Sequence, residues 1–116
     1  MGLGDNKAKF LFTCQGYLAP VEMRRLALDL IERIGMTPAR THPVDDYPLP
    51  NGLGGEGFTL YQPLTESYLV IDVYYDLNQT ELLISTCMPE RLMVDVVKSF
   101  LDEQIGQTTG GKLWEE

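Results

Sequence analysis

The chain has 116 residues, 44% hydrophobic and 22% charged, with 17 acidic against 9 basic side chains and a formal net charge of −8. That length suits one domain with one core, and the composition is that of a globular chain. The acidic balance argues against nucleic-acid binding, which needs a basic face, and no apolar run reaches the roughly 18 residues of a membrane span.

The elements follow in order. The N-terminal MGLGDNKAKF has neither the charged nor the apolar region of a secretory signal, so a cytoplasmic protein is expected. AKFLFTCQGY reads as a strand through Phe10, Leu11, Phe12 and Cys14, ended by Gly16. PVEMRRLALDLIERIG reads as a helix, with Pro20 in its first turn and Gly35 at its stop. Its apolar residues, Val21, Met23, Leu26, Ala27, Leu30, Ile31 and Ile34, recur at helical spacing. MTPARTHPVDDY suggests a short strand made irregular by Pro38 and Pro43, and PLPNGLGGEG a loop. Three strands follow, FTLYQPL, SYLVIDVYY and ELLISTC, the last two joined by a turn over Asp76-Leu77-Asn78-Gln79-Thr80. PERLMVDVVKSFLDEQIG is a second helix, with Pro89 near its start, and residues from about 107 to 116 are expected as a loose tail of the one domain.

Two helices against a largely antiparallel sheet predict an α+β two-layer sandwich. The helices cover one sheet face. The other carries Tyr68, Val70, Asp72 and Tyr74, or their neighbours, and faces water or a second subunit, so a homodimer is expected.

Several motifs carry less than they suggest. Gly52, Gly54 and Gly57 match G-x-G-x-x-G, but a dinucleotide fingerprint needs a strand before it and a helix after it, and here a strand follows. His42, near Asp45 and Asp46, reads as a surface loop histidine. Cys14, Cys87 and His42 are too few for a four-ligand zinc site, so no metal is expected. Asp72 is more informative, because a carboxylate within YLVIDVYY must reach water, a partner or a ligand.

At Leu64-Thr65-Glu66-Ser67 the chain resembles the bacterial and archaeal short form of S-adenosylmethionine decarboxylase, a pyruvoyl-dependent family. That family carries Glu-Ser-His, then Ile-His-Thr-Trp-Pro-Glu, then a strand ending Phe-Thr-Cys. Here Glu66-Ser67-Tyr68 leads through Ile71-Asp72 and Tyr74-Tyr75-Asp76 to Ser85-Thr86-Cys87, with the cysteine twenty residues after the serine, and GGEGFT puts Thr59 at the family's hydroxyl position.

The resemblance implies self-processing. The Ser67 hydroxyl attacks the Glu66 carbonyl to give an ester. Loss of the serine α-proton expels the carboxylate, and hydrolysis leaves a pyruvoyl group heading the second chain. Thr59 corresponds to the hydroxyl that assists processing, and Cys87 to the proton donor. Asp72 takes the histidine's place among the catalytic residues, while Tyr68 and Asp76 stand at substrate-binding positions. The implied substrate is S-adenosylmethionine or another cationic amino acid, in polyamine-related metabolism.

The departure at Asp72 matters. A carboxylate has no N–H to offer an oxyanion, and losing such assistance typically costs about 10²–10⁴ in rate. The alternative reading is an unprocessed homologue that binds a ligand or regulates a partner.

Overall fold

The computed structural model describes residues 8–37, 46–48, 57–65, 68–87 and 92–115. Among them the elements run β1 (Ala8–Gln15), α1 (Pro20–Arg33), β2 (Asp46–Pro48), β3 (Gly57–Pro63), β4 (Tyr68–Tyr74), β5 (Gln79–Thr86), α2 (Val94–Gln104) and β6 (Thr108–Glu115). The strands form one sheet in the order β2-β3-β4-β5-β1-β6, every neighbouring pair antiparallel.

Alternation decides the faces. Phe10, Phe12 and Cys14 of β1 share one face with Leu69, Ile71 and Val73 of β4 and with Leu82 and Ile84 of β5. These merge with Met23, Leu30 and Ile31 of α1 and Val97, Phe100 and Leu101 of α2 into a single core. Each large apolar side chain buried there contributes about 1.5–3 kcal/mol. The two-layer α+β sandwich expected from the sequence is the architecture observed.

The termini of α1 show why it lies where it does. Pro20 occupies the first turn, where its missing N–H is not needed, and Glu22 and Arg33 complement the helix dipole at either end. Gly35, at φ +73°, donates to the Glu32 carbonyl (3.1 Å) and Met36 donates to Ile31 (3.0 Å). This is a Schellman ending, with Met36 and Ile31 both in the core. Val21, counted in the apolar stripe, is 62% exposed.

Four expectations need correction. The last residues are not a loose tail: β6 pairs with β1 from Cys14↔Thr108 to Ala8↔Glu115. Thr-Thr-Gly-Gly reads as loop because glycine is disfavoured in strands. Here glycine is what lets the strands meet, since a Cβ on Gly110 (φ +122°) would sit 2.1 Å from the Leu11 carbonyl oxygen. Asp102 also fixes the start of β6, accepting from the Thr108 N–H at 2.7 Å.

The second correction concerns α2, which begins at Val94 rather than near Pro89. Leu92 is buried ahead of the helix, and Leu92 and Val97 hold the positions of a hydrophobic staple. Third, the β4–β5 turn is Tyr75 to Asn78, so Gln79 and Thr80 already belong to β5. Asn78 adopts φ +49°, which asparagine tolerates, and its N–H donates to Tyr75 at 3.1 Å. Fourth, the short strand expected in MTPARTHPVDDY is present as Asp46–Pro48 in the described residues, so Pro48 belongs to the strand rather than to the loop expected after it. Residues 38–45 and 49–56, with His42, Asp45, Gly52 and Gly54, lie outside them.

Candidate functional site

The sheet face away from the helices carries the residues that the sequence singled out. Across its middle runs one row of directly paired positions: Thr59 (β3), Asp72 (β4), Glu81 (β5), Thr13 (β1) and Thr109 (β6). Two predicted site residues therefore meet, and Thr59 Oγ1 donates a 2.5 Å hydrogen bond to Asp72 Oδ1. This distance is at the short end for a hydroxyl donating to a carboxylate.

Glu81 stands directly opposite Asp72, and both are half-buried. Like charges in that relation disfavour the pairing by roughly 0.2–1 kcal/mol. Gln79 Nε2 donates to Glu81 Oε1 at 3.3 Å. The Tyr74 phenol, on the same face, has its pKa raised by burial first, then by the charges of Asp72 and Glu81. The middle of the open face is therefore negative and rich in hydrogen-bond acceptors.

Two of the other predicted residues, Tyr68 and Cys87, lie toward one end of the sheet. Tyr68 opens β4 and pairs with Ser85, two residues before Cys87. Cys87 follows β5 as a half-buried free thiol. Glu66 and Ser67 lie outside the described residues. The Tyr68 ring is 6.1 Å from that of Tyr61, which is 37% exposed.

Asp76 stands apart. It is exposed in the turn that follows β4, and the strand's seven residues span about 20 Å at the usual rise. Tyr68 and Asp72 are four residues apart on the same face, about 13 Å along the strand.

The arrangement has clear chemical limits. The Thr59 proton is committed to Asp72, so the pair offers only lone pairs to a third group. It can accept from an ammonium group but cannot donate to an oxyanion while Asp72 is ionised. Glu81 was not among the residues the sequence reading selected. Its signal is the turn: ending it at Asn78 pairs Tyr74 with Gln79 and hence Asp72 with Glu81. Thr13, also unplaced by sequence, falls on the same row.

A concavity of about 380 Å³ lies elsewhere, lined by Asp29, Glu32 and Arg33 of α1 and Phe100 and Gln104 of α2. Arg33 packs over the Phe100 ring at 4.8 Å there. None of the motif residues lines it, so its volume does not mark the candidate chemistry. Among the described residues no group of three or more His, Cys, Asp or Glu could hold a metal ion. No helix in them is long and apolar enough to cross a membrane.

No family model matches the chain, and no curated protein matches it in sequence. Among solved structures it is similar to the crystal structure of the adenosylmethionine decarboxylase from Aquifex aeolicus VF5. The TM-score is 0.60, over 91% of this chain and 87% of that one, at 14% sequence identity. The likeness is one of fold: this chain has the α+β architecture of that decarboxylase.

Proposed function

We propose that the chain is a divergent S-adenosylmethionine decarboxylase-like protein that processes itself at Glu66–Ser67 and decarboxylates a cationic amino acid, as a cytoplasmic homodimer. The observation that carries this reading is the β4–β5 register. Tyr68 pairs with Ser85, so Cys87 comes off β5 at the same end of the sheet at which β4 begins, one residue after Ser67. The fold likeness supports it, as does the Thr59–Asp72 contact between two motif positions 13 residues apart.

A pyruvoyl group at position 67 supplies a carbonyl that draws electrons from a breaking carboxylate bond. A half-buried free thiol near that end supports this reading, and the acceptor groups on the same face suit the cationic part of a substrate rather than the carbonyl itself. Cys87 Sγ holds the proton to be delivered to the substrate carbon. Tyr68 flanks the substrate, and Asp72 with Glu81 attracts its cationic part. The half-buried Leu11, Val70 and Leu83 beside them are the surface that a second copy covers.

One observation favours a second reading, in which the chain stays unprocessed and binds a ligand or regulates a partner. With the Thr59 proton given to Asp72, neither group donates to the oxyanion of the acyl shift.

Denaturing mass spectrometry of the intact protein tests both. Two fragments divided between Glu66 and Ser67, the second headed by pyruvoyl, uphold the decarboxylase reading, and release of carbon dioxide then identifies the substrate. A single unbroken chain after long incubation removes it. Asp72→His then shows whether the lost donor is the cause, since restored cleavage assigns the silence to position 72.

A further inference from the structure

We draw no further inference here: the strongest candidate, the Asp72–Glu81 carboxylate pair beside Thr59 and Tyr74 on the open face of the sheet, belongs to the site already described, and nothing in the structure shows what covers it.

Discussion

Thr59→Val tests whether the hydroxyl is held by Asp72. The bond is short, its acceptor is charged, and the pair is half-buried. Hydrogen bonds to charged groups contribute about 1.5–3 kcal/mol, and partial solvent access puts this one at the lower end, about 1.5 kcal/mol. Asp72→Ala loses the same bond but also relieves the repulsion from Glu81, about 0.5 kcal/mol, so its expected net cost is about 1 kcal/mol. Once Asp72 is gone, Thr59→Val has nothing left to remove. The double variant is therefore expected to match Asp72→Ala, giving a coupling energy of about 1.5 kcal/mol. Urea unfolding of the four proteins at neutral pH measures it, and Thr59→Val alone should lower Tm by about 6 °C in a chain of this size. Effects that simply add, within the roughly 0.3–0.5 kcal/mol expected of independent sites, would refute the reasoning. Thr59 would then be free to assist chemistry by itself.

Other positions give independent checks. Gly110→Ala places a Cβ 2.1 Å from the Leu11 oxygen and 2.9 Å from Phe12 Cα, at a φ that side chains rarely adopt. A loss of several kcal/mol, or detachment of β6, is expected; unchanged amide-exchange protection in β6 would contradict its docking. Leu82→Ala empties a fully buried site at the centre of the sheet and should cost about 2–5 kcal/mol by denaturant unfolding; a cost below about 1 kcal/mol would place Leu82 outside the core. Cys14 has its thiol pKa raised by burial, partly offset by the Thr108 hydroxyl and raised further by Asp102. Above the ordinary thiol value of about 8.5 the unfolded chain loses this proton first, so stability should fall as pH rises through the alkaline range. Cys14→Ala should lack that component, and parallel curves for the two proteins between about pH 7 and 10.5 would overturn the assignment.

How far the sequence could be read is clearest at particular residues. Strands β1 and β3 were legible because apolar residues recur at a period of two over most of their length, and β4 because β-branched and aromatic residues fill it apart from Asp72. The helix α1 was legible because its stripe, its proline and its glycine agree. The β4–β5 turn was not, since four polar residues around Leu77, over Asp76 to Thr80, leave its centre undetermined. Ending it two residues late, at Thr80 rather than Asn78, changes which residue faces Asp72, and Glu81 was missed for that reason.

By itself the sequence determined the two-layer class and the Glu66-Ser67 to Cys87 spacing, because these depend on local periodicity and chain connectivity. Only the tertiary structure decided that Thr59 gives its proton to Asp72, that Glu81 stands across from it and that the last strand docks beside the first. Those facts depend on register and on the distance of closest approach between strands, which depends on whether a Cβ fits at Gly110 rather than on any pattern along the chain.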